Sequence, residues 1–273
     1  MMSTEIIKRI ESLSPLPKTI IDIEEFRKKS DKETSDLLEI IEKDALIIST
    51  LLKISNSAMF GFRSKVETPS RAVNLLGINF TITIAIGGTI QNLLKTNLEP
   101  YGITSDDFMR TSNLSSSLVS LWLGKVNYDL KEELLLPALL QETGKFILAD
   151  NIINDGKCEE FKAKISSGMN LALAEKEVVG FSSSEITAKI FRHWKLSEKL
   201  IELIENVDNI SNCDENIKEK VQILNVIKTA CEITNPLSQK NITLAIKKAK
   251  NYGLNVKALE EAIEKLEDRL LDE

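Results

Sequence analysis

The sequence predicts an all-α protein, and three observations carry that prediction: a helix-forming composition, few chain breakers, and apolar residues recurring at three- and four-residue steps. Apolar residues make up 42% of the 273-residue chain, aromatics only 5%, and Gly (11) and Pro (6) are scarce. Gly and Pro normally supply about 12% of a chain, so their scarcity disfavours disorder, collagen-like repeats and a turn-dense sandwich. Leu, Ile, Lys, Glu and Ala dominate instead, all common in helices. At about 100–200 residues per domain the length allows one large or two modest domains, with a sizeable core.

Each element follows from a local signal. Ser3 and Thr4 can cap a first helix with apolar positions Ile6, Ile7, Ile10 and Leu13, and Ser14-Pro15-Leu16-Pro17 stops it. Helices are expected over Ile20 to Lys29, Thr34 to Glu42 and Ala45 to Ser55. After the loop Met59 to Glu67, Thr68 reads as an N-cap with Pro69 at the first helical position, where a missing N–H costs nothing. That helix ends at Gly77, which tolerates positive φ. Asn79 to Leu94 is apolar all round and reads as a central buried helix, with Gly87-Gly88 allowing close approach or a kink. Its β-branched run makes a strand the competing assignment.

Lys95 to Thr104, with Pro100 and Gly102, is the best linker and divides an N-terminal lobe (1–98) from a second lobe (99–210). The second opens with Ser105 as a cap, and Asp106 and Asp107 favour the helix dipole. A helix to Val126 follows, then one over Lys131 to Asn151 that Pro137 should kink or divide. Cys158 to Ser167 and Leu171 to Val179 are helical, and Ser182 with Glu185 forms a capping box for a helix to Trp194. Ser197 caps the next. Residues 211–273 form a C-terminal extension with helices over Asp214 to Thr234, Ser238 to Asn251 and Asn255 to Leu271. In the last, Val256, Leu259, Ile263, Leu266 and Leu270 make an a/d stripe of two heptads. It can pack on the second lobe or serve a partner or an oligomer.

Charge and residue counts exclude several functions. The net charge of −6 divides into 0, −2 and −4 over residues 1–100, 101–200 and 201–273. No third is basic, so nucleic-acid binding by phosphate contacts is not expected. Cys158, Cys213 and Cys231 are far apart and odd in number, which suits a reducing cytoplasm. Met1 to Glu11 has no continuous hydrophobic run, so no signal peptide is expected. The most apolar stretch, Ile78 to Leu94, is broken by polar residues and falls short of the ~18 apolar residues of a membrane span. A cytoplasmic protein without membrane insertion is the expectation. His193 is the single histidine, which removes most metallohydrolase and many acid–base mechanisms. Near a helix end, it can favour the dipole or sit half-buried against Trp194.

Asp44-Ala45-Leu46, the run Leu51 to Gly61 that contains Asn56-Ser57-Ala58, and Ala72-Val73-Asn74-Leu75-Leu76-Gly77 together resemble the HDOD family. Leu16-Pro17 resembles the Leu-Pro segment that opens such a domain. The resemblance runs over roughly Leu13 to Asp208 and departs at Ala45, where the family usually has Pro. It implies a two-lobed helical module similar to HD-type phosphohydrolases but lacking their catalytic ligands, used in bacterial signalling such as motility or second-messenger pathways.

By that resemblance, Thr111 stands where an HD protein has its first His, Gln141 and Glu142 replace the His-Asp pair ahead of Gly144-Lys145, Ser183 replaces another His, and Asp208 lies at a His-His position. Thr111, Gln141, Glu142, Lys145, Ser183 and Asp208 thus form a vestigial pocket without an adequate ligand set for two metals. No catalytic residue, metal or cofactor is expected. Asn56, Ser57 and Gly77 carry the family signature as structural residues, Asn56 satisfying backbone groups where one helix meets the next. Phe60, Gly61, Phe62 and Arg63 are expected as an exposed contact surface, since aromatic and Arg residues are enriched at interface hot spots. The expected function is a non-catalytic regulatory protein acting through protein–protein interaction with an unidentified signalling partner. A small-ligand or nucleotide sensor at the vestigial pocket and a residual phosphohydrolase stay open.

Overall fold

The computed structural model describes residues 2–57, 60, 62 and 64–271, with the side chains of Met2, Ser3 and Asn212 outside the description. Gly61 and Arg63 of the expected contact surface therefore lie outside the described residues. Among the described residues there are helices and no strands. In chain order these are α1 (Met2–Glu11), α2 (Lys18–Arg27), α3 (Thr34–Ile41), α4 (Ala45–Ser55), α5 (Pro69–Leu76), α6 (Ile78–Leu93), α7 (Ser105–Leu123) and α8 (Tyr128–Leu140). They continue as α9 (Lys145–Asn154), α10 (Cys158–Ser166), α11 (Leu171–Val179), α12 (Ser183–His193), α13 (Glu198–Glu205), α14 (Glu215–Ala230), α15 (Gln239–Asn251) and α16 (Val256–Leu271).

The helix α6 is the hub. Every residue from Phe80 to Gln91 is buried, and the helix touches α2, α3, α4, α5 and α8. Its β-branched residues do not force a strand, because Thr81, Thr83 and Thr89 return their hydroxyls to the carbonyls of Gly77, Asn79 and Ala85 at 2.8–2.9 Å. Gly87 and Gly88 give the close approach expected of them: a Cβ on Gly87 would lie 2.1 Å from Leu139 and one on Gly88 2.6 Å from Thr50. The α7/α8 pair continues the core, α14 packs on both, and α16 lies along α7 with Leu259, Ile263 and Leu266 buried. Val256 and Leu270 of the same stripe are half-buried. The first helix, α1, packs on α9 and α12 of the expected second lobe. One continuous core runs from Ile6 to Leu266.

Local capping follows the sequence closely. Asp44, Thr68, Ser182, Ser197 and Ser238 each accept from a backbone N–H of the first turn. Asp44 bonds the amides of Leu46 and Ile47, so the helix starts at Ala45 without a proline there. Asn56 donates to Leu52 and Val66 carbonyls and accepts from the Val66 amide, all at 2.8 Å.

Three expectations are corrected. The cap of α7 is Thr104, not Ser105: the Asp107 carboxylate reaches back to the Thr104 amide at 2.9 Å, completing a capping box one residue earlier. The break after α8 falls at residues 141–144, not at Pro137, which lies inside a helix that runs on to Leu140. Phe60 and Phe62 are half-buried rather than exposed, because Phe60 packs edge-on against Phe80 at 5.3 Å and stacks on Phe62 at 5.8 Å. His193 is exposed, its Nε2 3.4 Å from the Leu13 carbonyl, while buried Trp194 donates to Ser14. Among the described residues no single helix is long and apolar enough to cross a membrane; α5 and α6 would qualify only as a pair bent by 118°.

Candidate functional site

A buried charge cluster occupies the second half of the molecule. The Ser182 capping box fixes the start of α12 and holds Ser183 and Ser184 fully buried in its first turn. Against it lies the start of α9, where the Gly144 amide donates to Thr187 Oγ1 at 2.7 Å and Lys145 follows, 1% exposed. A Cβ on Gly144 would lie 2.2 Å from the Ser183 carbonyl oxygen, so this approach requires glycine. The helix α11 brings Glu175, the turn after α13 brings Asp208, and α14 brings Lys228.

These side chains form one network. The Lys145 ammonium lies 2.6 Å from Glu142 and 2.5 Å from Glu175, and donates to Ser183 Oγ at 3.3 Å. The Lys228 ammonium lies 3.1 Å from Glu142 and 2.8 Å from Asp208. Glu175 also accepts the Ser183 amide at 2.6 Å and the Tyr101 hydroxyl at 3.1 Å, while Ser184 donates to Asp208 at 2.6 Å. Lys145 also lies 4.9 Å from the centroid of the Tyr101 ring. Three carboxylates face two ammoniums, and hydroxyls and one amide satisfy the remaining lone pairs, as burial of charge demands.

Proton affinities follow from this pairing. Burial pushes the carboxyls of Glu142 and Asp208 up, but the adjacent ammoniums outweigh it and hold both below the ordinary carboxylate range. Burial alone would lower Lys145 and Lys228, yet Glu142 with Glu175, and Asp208 with Glu142, raise them above the usual lysine value. Burial, reinforced by Glu175, raises Tyr101 well above its ordinary value. Glu142, Asp208, Lys145, Lys228 and Tyr101 are therefore held in their ordinary charge states at neutral pH.

Of the expected pocket residues, the structure brings together Glu142, Lys145, Ser183 and Asp208. Thr111 and Gln141 are buried but share no side-chain hydrogen bond with the cluster, and neither Gln141 side-chain atom has a partner among the described residues. The sequence reading missed Tyr101, Glu175, Ser184 and Lys228. Two of these carried a signal: Glu175 sits in the buried stripe Leu171, Ala174, Val178 of α11, and Lys228 continues the stripe Val221, Leu224 of α14. A charged residue in a core-facing stripe needs a buried partner.

The residues present do not fit a dinuclear metal centre. The carboxylates that would supply ligands already hold ammoniums, and the chain has a single histidine, the exposed His193. Among the described residues no group of three His, Cys, Asp or Glu side chains is disposed to hold a metal ion. Cys231 is no ready nucleophile, because burial pushes its thiol up to about 12. On its outer side the cluster opens onto a cavity of about 300 Å3, where Glu142, Asp208 and Lys228 meet residues of α11, α14 and α15.

Comparison with known proteins places this architecture. An uncharacterized protein of Treponema pallidum is 24% identical over 229 residues, 80% of this chain, and this chain spans 42% of that relative's length. A virulence factor from Campylobacter jejuni shares 28% identity, with 96% of this chain and 95% of that chain covered and a TM-score of 0.56. An HDOD domain protein of unknown function from Geobacter sulfurreducens superimposes with a TM-score of 0.72 over 99% of this chain and 94% of that one, at 13% identity. A protein from Marinobacter aquaeolei, provisionally described as a signal transduction protein, gives 0.74 over 98% of this chain and 62% of that one, at 18% identity. The model of the HDOD domain matches residues 13–210. The helical architecture and this match agree: the chain belongs to the HDOD domain family.

Proposed function

We propose that this protein is a non-catalytic regulatory module of bacterial signalling, acting in the cytoplasm through contacts with partner proteins. The observation that carries the reading is the occupation of the degenerate site by its own cations. Lys145 and Lys228 sit between Glu142, Glu175 and Asp208 at 2.5–3.1 Å, so positive charge is supplied covalently where a metallohydrolase would recruit ions. A divalent ion would have to displace a buried ammonium from two carboxylates. Hydrolysis of a phosphodiester needs a metal-bound water or a poised general base, and none of Glu142, Lys145, Asp208 and Lys228 is poised near neutrality. Membership of the HDOD family and likeness to a protein provisionally described as a signal transduction protein support the signalling role.

The test is a calorimetric titration with Mn2+ and Mg2+ beside turnover of bis(p-nitrophenyl) phosphate. No saturable metal binding and no turnover above buffer are expected. Turnover that survives purification to homogeneity and disappears in Glu142→Gln would overturn the reading.

A further inference from the structure

Beyond the charge cluster, the cavity it opens onto continues between α11 and α15, and its walls there have a different chemistry. Leu173 on α11 and Leu244 on α15 both line it and are 56% and 42% exposed, two large apolar side chains bordering one opening. Lys248 of α15 lines the same cavity, half-buried, its ammonium donating to Thr229 Oγ1 at 2.8 Å. Lys228 next to it is held by Glu142 and Asp208, whereas among the described residues no carboxylate forms an ion pair with Lys248. Burial lowers the proton affinity of Lys248, the Asp208 charge offsets this only in part, and the Lys228 ammonium adds to it.

A half-desolvated cation without a carboxylate partner, beside two exposed leucines, is incomplete in two ways. The ammonium lacks an anion and the leucines lack apolar cover. We propose that this cavity binds a small organic anion, with one acidic group seated on Lys248 and an apolar body between Leu173 and Leu244. A volume of about 300 Å3 suits a compact ligand. Glu142, Asp208 and Glu232 line the same cavity and would repel a polyanion, which restricts the ligand to a single acidic group. Because Lys228 lies on the shared wall, occupancy would act directly on the charge cluster. This inference goes beyond the adaptor reading and does not depend on it, since the metal titration tests one and an anion titration the other.

The probe is 1-anilinonaphthalene-8-sulfonate, one acidic group on an aromatic body, compared with uncharged N-phenyl-1-naphthylamine. Saturable one-to-one binding of the sulfonate by the folded full chain is expected, with the uncharged probe at least about tenfold weaker. Lys248→Met should weaken the sulfonate by about tenfold and Lys248→Arg should restore it, because a charge-assisted contact is worth that much. Lys247→Met, on an exposed neighbour, should leave binding unchanged. Should Lys248→Met fold poorly, the native protein still decides: NMR titration of Lys248 must show its proton affinity rising when the sulfonate binds. Equal binding by Lys248→Met and Lys247→Met, or a Lys248 titration unmoved by the probe, would overturn the proposal.

Discussion

The Lys228 ammonium stands 2.8 Å from the Asp208 carboxylate, and the two residues come from opposite sides of a boundary. Asp208 lies within the region matched to the HDOD family, residues 13–210, and Lys228 lies beyond it on α14. A cation from the C-terminal helices therefore completes a charge cluster whose carboxylates belong to the family module. The same helices cover the module elsewhere: Trp122 of α7 donates to the Asn255 carbonyl at 3.0 Å, and Asn225 of α14 donates to Val207 at 2.8 Å.

Removing one ammonium leaves buried carboxylates unpaired. Lys228→Met and Lys145→Met should each cost about 3–5 kcal/mol of folding stability, the usual penalty for breaking a buried pair from one side. Urea denaturation at pH 7 reads this as a lower midpoint at unchanged slope. A loss below about 1 kcal/mol, the level of a surface ion pair, would show the cluster to be solvated.

Stability should form a plateau bounded by the cluster's titrations. Glu142 and Asp208 are held below their ordinary range, so their contribution is complete above it and fades as pH falls from about 4 downward. Lys145 and Lys228 are held above theirs, so their contribution is complete below about 10.5 and fades as pH rises past it. Thermal unfolding across pH 3–11 checks both edges, and the loss in Lys228→Met should shrink as pH falls through the carboxylate range, because protonation neutralises the carboxyls left unpaired.

Gly144→Ala should be much worse than Gly87→Ala. At Gly144 the new methyl meets backbone, 2.2 Å from the Ser183 oxygen and 2.8 Å from the Thr187 nitrogen, and the two helix starts must separate. At Gly87 it meets only the end of the Leu139 side chain, which can turn away. Overpacking costs about 1–3 kcal/mol where neighbours yield, and Gly144→Ala should exceed that range. Denaturant midpoints of the two variants, measured side by side, settle the order.

Ending the chain after residue 210 should leave no stable module, although the family match ends there. The cut removes Lys228 and strips α14 and α16 from α7 and α8, exposing apolar residues such as Trp122 and Leu118, now at most 1% exposed. Near-UV circular dichroism and limited proteolysis should report lost packing and rapid cleavage. A truncated chain as protease-resistant as the full one would make the C-terminal helices an appendage.

Asn56→Ala should destabilise without touching the charge cluster. The side chain holds both the N–H and the carbonyl of Val66 and the Leu52 carbonyl, and an unsatisfied buried group costs about 1–3 kcal/mol. Combined with Lys145→Met, on the distant cluster, the losses should add.

Local physics made most of the helices legible in the sequence. Caps such as Thr68, Ser182 and Ser197 act within three residues, and apolar stripes at three- and four-residue steps need only helix geometry. The misreadings were local ties. Thr104 and Ser105 are both good caps, and the Asp107 carboxylate chose the former; Pro137 sat in a helix whose break was instead dictated by the approach of Gly144 to α12.

The sequence by itself determined an all-α chain with one histidine, and the resemblance placed Thr111, Gln141 and Ser183 at positions where HD-type proteins carry imidazoles. Only the tertiary structure decided which charged side chains meet in the second half of the molecule. Periodicity says that Glu175 and Lys228 face inward, but not which distant helices meet there. Helices α9, α11 and α14 bring Lys145, Glu175 and Lys228, and the turns before α9 and after α13 bring Glu142 and Asp208, into one buried network. Burial of an ion is tolerable only when an opposite charge arrives from another part of the chain, and that arrival is a property of packing rather than of any local run of residues.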